Sequence, residues 1–356
     1  MEGNADMSKG HWIRGVACAI AAAGLFASAP ADAQKKPVDV NIIYGAPSST
    51  SWPLWLAKEG GYFEKYGINA TVTFGMHPAG PAAVVSGDAL THNLGLDTSI
   101  LAAIKGDQLV LVASPLHVGQ FVLLGRKEVE NAKALEGKRV AVGRIGDPPY
   151  FYGMALLETL GVDVSKINWV SAGAPPQRAL AIRNNLADAA MITPPDYYKM
   201  ADEGFKVLGR LQEHRNIPIA TSYLFRRKTV TEQPELVENF LKAHLEAVKR
   251  FYDDKAFSVG VIKKYAKIED DAILSRLYDE TKAGNIYERV PYVPAQAVKG
   301  IVERNKADTP ELATYDLKRA IIQTPIDKLV DSGFIEQLFG PSVKEQIAKN
   351  REGAFR

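Results

Sequence analysis

Along the first two thirds of the chain, short apolar and β-branched runs alternate with segments whose apolar positions fall at helical spacing. The runs at 38–44, 70–74, 93–96, 109–113, 121–124, 139–142, 168–170, 189–192 and 206–208 read as strands. Between them, 53–62, 81–86, 99–104, 149–160, 175–184 and 195–203 read as helices. Such alternation predicts an α/β fold with mostly parallel sheets flanked by helices. From Pro234 the pattern changes. Leu236, Val237, Phe240, Leu241, His244, Leu245, Val248 and Phe251 recur at i, i+3, i+4 and i+7, the stripe of an amphipathic helix. Further helices are expected near 256–265, 270–281, 294–306 and 325–338. There is no repeat of fixed period and no low-complexity tract.

The helix starts share one punctuation. They fall at Ser51-Trp52-Pro53, Asp97-Thr98-Ser99, Gly146-Asp147-Pro148-Pro149, Gly173-Ala174-Pro175 and Thr193-Pro194-Pro195, each directly after an expected strand. Pro in the first turn and Ser, Thr or Asp just before it are helix-start signals with a mechanism. In an open α/β sheet these starts lie beyond the carboxyl ends of the strands, where ligands bind. The hydroxyl run Ser48-Thr50-Ser51 around Ser49 has two readings. Its side chains cap the following helix, or they leave the first-turn N–H groups free to hold a ligand acceptor.

The front end adds a third element. Lys9 and Arg14 precede an apolar run at 15–29, and Ala31-Asp32-Ala33 follows, with small residues where a signal peptidase reads. Residues 1–33 are therefore expected to be a cleavable secretory signal, too short in its apolar run for a membrane span. Cys18 is the only cysteine, so the mature chain would hold no thiol and no disulfide. The whole chain has 43 Lys and Arg against 41 Asp and Glu, and loss of 1–33 leaves 41 against 38. That near-balance argues against nucleic acid as a partner. The histidines His11, His77, His92, His117, His214 and His244 show no metal-ligand spacing, so neither a metal nor a cofactor is expected. No glycine-rich dinucleotide motif, phosphate loop or nucleophile elbow is present, so an enzyme is not expected.

Ser49-Thr50-Ser51-Trp52-Pro53-Leu54-Trp55-Leu56-Ala57-Lys58-Glu59-Gly60-Gly61-Tyr62-Phe63, then Tyr66-Gly67-Ile68, resemble periplasmic solute-binding proteins of the nitrate, sulfonate and taurine ABC-transporter class. That class lies in a wider group with pyrimidine-precursor binders. Gly137-Lys138-Arg139-Val140-Ala141-Val142 and Asn185-Leu186-Ala187-Asp188-Ala189-Ala190 extend the resemblance, which covers 38–340. It implies a two-lobed class II binding-protein fold, with one lobe made of 34–117 and 220–356, the other of 118–219, and hinges at 115–120 and 218–223. It implies a solute held between the lobes and passed to a membrane permease with its ATPase, by a periplasmic protein acting as a monomer. Carried over by position, the contacts are Ser49, Thr50, Ser51, Trp52, Asp97 and Thr98 from the first lobe. Those of the second are Ile145, Gly146, Asp147, Thr193 and Asp196, with Tyr223 from the returning crossover. Arg144-Ile145-Gly146-Asp147-Pro148-Pro149 stands where the family has a Gly/Ser-rich turn.

Three arginines follow in the second half of this region. Arg144 ends an expected strand, and Arg178 and Arg183 lie on the next helix but one. Arg144 is the candidate clamp for a carboxylate or sulfonate, because the guanidinium fork suits planar oxyanions; an arginine turned to solvent is the alternative. Asp97, Asp147 and Asp196 are expected as N-caps or as acceptors for an amine, and Trp52, Tyr150, Tyr197, Tyr198 and Tyr223 as aromatic surface. An organic anion, a sulfonate, a carboxylate or a related heterocycle, fits this mixture. A pyrimidine-precursor binder, a sensory binding protein and an enzyme of the same fold remain the alternatives.

Overall fold

The computed structural model describes residues 36–75, 79–214 and 220–356, and residues 37–356 form one compact unit. The expected signal segment 1–33 and His77 lie outside the described residues. The strands are β1 (Val38–Tyr44), β2 (Ile68–Phe74), β3 (Thr91–Gly95), β4 (Leu109–Ala113), β5 (Val122–Gly125), β6 (Arg139–Val142), β7 (Asn168–Ser171), β8 (Ala189–Ile192), β9 (Lys206–Arg210) and β10 (Thr221–Arg226). They form two five-stranded sheets, ordered β2-β1-β3-β10-β4 and β7-β6-β8-β5-β9. In the first, β1 is parallel to β2 and β3, while β10 is antiparallel to β3 and β4. In the second, β6 is parallel to β7 and β8, while β5 is antiparallel to β8 and β9. Each sheet is therefore mixed, with a single strand running against the rest. That strand is the first one the chain enters after crossing from the other sheet.

The helices flanking the strands are α1 (Trp52–Glu59), α2 (Tyr62–Lys65), α3 (Ala79–Ser86), α4 (Leu96–Ile104), α5 (Pro148–Thr159), α6 (Pro175–Arg183) and α7 (Asp196–Asp202). After β10 come α8 (Arg227–Glu232), α9 (Pro234–Asp253), α10 (Lys255–Ala266), α11 (Asp271–Ala283) and α12 (Ala295–Asn305), then shorter helices. The apolar stripe of α9 is buried from Val237 to Phe251, and α9 packs on α1 and α2 beside the first sheet. Phe240 sits edge-on to Tyr223 at 4.9 Å and to Phe225 at 5.4 Å, so the helix stripe closes directly over β10. Each such ring, fully removed from water, contributes about 2–3 kcal/mol. The helix expected at 325–338 is instead two helices, Thr324–Asp331 and Phe334–Phe339, interrupted at Gly333 with φ 75°.

Two crossovers join the sheets, one between β4 and β5 and one between β9 and β10. The Thr221 N–H donates to the Leu116 carbonyl at 3.0 Å, which ties the crossovers side by side. Part of the second expected hinge, residues 218 and 219, lies outside the described residues. Thr221 to Tyr223 form the first half of β10, paired with β3, and Tyr223 is paired with β4 as well.

Candidate functional site

The hydroxyl run forms a 3-10 turn, Ser49–Ser51, that leads into α1. None of its side chains caps the helix: neither Ser48 nor Ser51 accepts from a first-turn N–H. Ser51 Oγ instead donates to the Ala46 carbonyl at 2.5 Å, and Ser48 and Thr50 hydroxyls meet at 3.0 Å. The turn is fixed from outside. Tyr287 OH donates to the Ser49 carbonyl at 2.7 Å, and Asn93 Nδ2 donates to the Thr50 carbonyl at 2.7 Å. Side-chain capping is thus set aside for this run. Ser51→Ala should cost about 1 kcal/mol by losing an enclosed hydrogen bond, and Thr50→Ala only a few tenths. Urea unfolding of the two variants checks this, and a larger loss at Thr50 would overturn it.

Trp52 is buried. Its indole is 1 % exposed and packs on Phe251 in the core, because α1 turns that position inward against α9. Tyr223 is also internal, at 0 % exposure in mid-β10, with its hydroxyl 2.9 Å from His244 Nδ1. Asp97, in the first turn of α4, is 2 % exposed and paired with Arg304 of α12, whose Nη2 donates at 3.0 Å. Burial holds the Asp97 carboxyl above its ordinary range, with Arg304 pulling the other way. Thr98 beside it is half-buried.

The second sheet meets the first at this point. Gly95 ends β3, and a Cβ there would lie 2.8 Å from Pro148 Cγ at the start of α5, so only glycine fits. Tyr152, one turn further along α5, reaches the same place. Burial raises its phenol, and the Asp97 charge adds to that. The loops after β3 and β6 therefore face each other in contact.

Arg144 is solvent-exposed and pairs with Asp147 three residues on at 3.2 Å, a contact of little stabilising value. Ile145 is 55 % exposed and Gly146 takes φ 90°, so this loop projects outward. Asp147 stands at the N-cap of α5 and makes no capping bond. Thr193 and Asp196 flank a cis Pro194-Pro195 bond ahead of α7, both half-buried, and burial raises the Asp196 carboxyl. The arginine turned inward is Arg178, at 3 % exposure. Its Nη1 donates to the Gly173 carbonyl at 3.4 Å, and its Nε has no partner. Burial lowers it to about 10, against the opposing fields of Asp196 and Asp147. The structure thus gathers Asp147, Arg178 and Asp196 and leaves Arg144 at the rim. Arg178 shares a helix face with the buried Ala181 and Ile182, a spacing the sequence already displayed.

A groove of about 660 Å³ opens beside Asp196, between α6 and α7 on one side and the turn from Lys267 to Asp270 on the other. Beside the groove α7 is clasped by α11. Tyr197 and Tyr198 hydroxyls donate to Glu280 Oε2 at 2.9 and 2.7 Å, and Arg276 Nε donates to Glu280 Oε1 at 3.0 Å. Arg276 also lies 3.9 Å over the Tyr198 ring. These tyrosines are buried ties between the halves rather than stacking surface for a ligand. Glu280 and Arg276 carried no local signal, since the partners are 82 and 83 residues apart in sequence. His117 has structural partners, Glu288 Oε1 at 3.1 Å and the Tyr292 carbonyl at 3.0 Å. Among the described residues no group of three or more His, Cys, Asp or Glu is placed to hold a metal ion, and no helix is long and apolar enough to cross a membrane.

Two mixed α/β sheets with facing loops are the fold of the two-lobed periplasmic binding proteins. The chain belongs to the family described as NMT1/THI5 like, whose model matches residues 48–255. No curated protein matches it. Among solved structures, a putative periplasmic sulfonate-binding protein SsuA from Methylobacillus flagellatus KT is 17 % identical with a TM-score of 0.68, covering 85 % of this chain and 96 % of that one. The periplasmic nitrate-binding protein NrtA from Synechocystis PCC 6803 is 13 % identical with a TM-score of 0.67, covering 87 % and 91 %. A DszB variant in complex with biphenyl-2-sulfinic acid is 13 % identical with a TM-score of 0.60, covering 83 % and 99 %.

Proposed function

We propose that the chain is the extracytoplasmic solute-binding component of an ABC importer. It captures a small organic anion, a sulfonate, a carboxylate or a related heterocycle, between two lobes and delivers it to a membrane permease with its ATPase. In this reading residues 1–33 are a signal peptide, 34–117 with 220–356 form one lobe and 118–219 the other, and the protein acts in the periplasm as a monomer. One observation carries it: the loops at the carboxyl ends of β3 and β6 face each other across Gly95 and Pro148, which is where an open α/β sheet binds its ligand. The uncapped turn at Ser49–Ser51 and the uncapped Asp147 support it, because those groups are not consumed by the helices they precede. The sulfonate and nitrate binders that share the fold support it as well.

Closure about the crossovers would exclude water and complete the contacts. A thermal-shift screen of carboxylates, sulfonates and pyrimidines should give a compound that raises Tm with concentration. The same compound should lower the radius of gyration in small-angle scattering. Intact mass of the secreted protein should begin at Gln34. A screen without a hit, or a secreted form still starting at Met1 or Met7, would sink the reading.

A further inference from the structure

Arg178 and Asp196 are electrostatic neighbours that do not bond each other. Each feels the other's charge, yet neither forms an ion pair among the described residues. Arg178 directs one N–H to the Gly173 carbonyl and keeps an enclosed Nε–H with no acceptor. Asp196, first residue of α7, accepts no hydrogen bond from the protein, and Asp147 accepts only from the exposed Arg144 at 3.2 Å. Arg178 Nη1 and Asp147 Oδ2 lie 3.4 and 3.5 Å from one point beside Gly143, and α7, which Asp196 opens, packs on α6, which carries Arg178. An enclosed group left without its partner is costly, and a solute that completes both donor and acceptors removes the cost at once.

We propose that Arg178 and Asp196 select a solute bearing an amino group beside its acid group. The acid oxygens accept from the Arg178 guanidinium, and the ammonium donates to Asp196, with Asp147 as a second acceptor. Guanidinium offers only donors and carboxylate only acceptors, so the two ask for opposite things. An acceptor-only oxyanion such as nitrate satisfies Arg178 but sets its remaining oxygens against two carboxylates. A plain amine fails in the reverse sense. Gly143 adds room for the acid group, since a Cβ there would sit 3.4 Å from Arg178 Nη1 and 3.5 Å from Asp147 Oδ2. This rests on the cleft being a solute site and narrows its ligand from an organic anion to an amino acid-like zwitterion.

Matched pairs test it by calorimetry: β-alanine with propionate, taurine with ethanesulfonate, and 4-(aminomethyl)benzoate with 4-methylbenzoate. In at least one pair the amino member should bind wild type at least about tenfold more tightly, the worth of one charge-assisted hydrogen bond. Asp196→Asn should erase the difference within the pair, weakening the amino member while the plain acid binds at least as tightly as to wild type, because one opposing carboxylate is gone. Arg178→Gln should weaken both members about ten- to hundredfold. Arg178→Lys, which keeps the charge on a stem that still fills the site, should fall between and guards against a folding defect in the glutamine variant. Equal binding of both members to wild type overturns the donor selection, and unchanged binding to Arg178→Gln overturns the anchor; the cleft reading survives both. If cytosine raises Tm and no pair does, the inference fails alone. If no compound does, both fail.

Discussion

Lowering the pH from 7 to 4.5 is expected to cost the protein about 3 kcal/mol through a single side chain, His244. The imidazole lies on the buried face of α9 with its Nδ1 on Tyr223 OH and its Nε2 without a partner. Burial holds it down to about 3, because a charged ring has no water there. In the unfolded chain it takes a proton near 6.5. Between those values the unfolded state binds the extra proton and the native state does not. Stability is therefore complete above about 6.5 and falls by about 1.4 kcal/mol per pH unit as acid is added, until the buried ring itself protonates. Carboxylates held low by their partners, such as Asp188 beside Arg139, add their own loss only below their ordinary range. Urea unfolding at pH 7, 5.5 and 4.5 should show the slope in wild type. A Tyr223→Phe/His244→Leu variant, which removes the titrating ring and its phenol together, should lose most of it. Equal slopes in both would show that His244 titrates normally.

His244 also shows how far the sequence could be read. Its place on an apolar stripe marked it as a packing residue, and the helix formed with that face inward. Continuous apolar runs, such as Val140 to Val142 and Ala189–Ile192, are equally legible because burial on both faces leaves no polar position to confuse the period. β10 is not. Thr221-Ser222-Tyr223-Leu224-Phe225 follows a long polar connection, and its pairing with β3 and β4 is a tertiary event that local pattern does not encode. Tyr223 and Trp52 are expected at the site only by position in the resemblance; the pairing of β10 and the packing of α1 on α9 bury both side chains. For the arginines the clue was present: Arg178, Ala181 and Ile182 share a face, and a charged residue in register with alanine and isoleucine is one turned inward. Arg144 had only its position at a strand end. The Glu280 clasp on Tyr197 and Tyr198 joins helices far apart in sequence and had no signal at all.

Arg304→Ala is expected to destabilise the protein by about 3–4 kcal/mol at pH 7, by stranding Asp97 rather than by removing an attraction. Asp97 keeps 3 % of its side chain in water, and the Arg304 Nη2 contact at 3.0 Å is the side-chain hydrogen bond that answers its charge. Without the guanidinium the carboxylate must either stay charged in a nearly dry site or take a proton. Taking one at pH 7 from an ordinary value near 3.9 costs about 4 kcal/mol, which sets the ceiling. The sign of the pH dependence follows. Burial already raises the Asp97 carboxyl, and loss of Arg304 removes the influence that opposes this. A carboxyl raised in the fold contributes its stability at low pH and loses it as pH climbs through the folded value. The deficit of Arg304→Ala should accordingly shrink to about 1–2 kcal/mol at pH 5. This is opposite in direction to the His244 effect and separable from it by subtracting wild type at each pH. Asp97→Asn/Arg304→Ala, with no charge left to strand, should be less destabilised than Arg304→Ala at pH 7 and carry no pH-dependent deficit. A deficit of equal size at pH 7 and pH 5 would mean that Asp97 is well solvated without Arg304, and would return it to the cleft as a group free to meet the ligand.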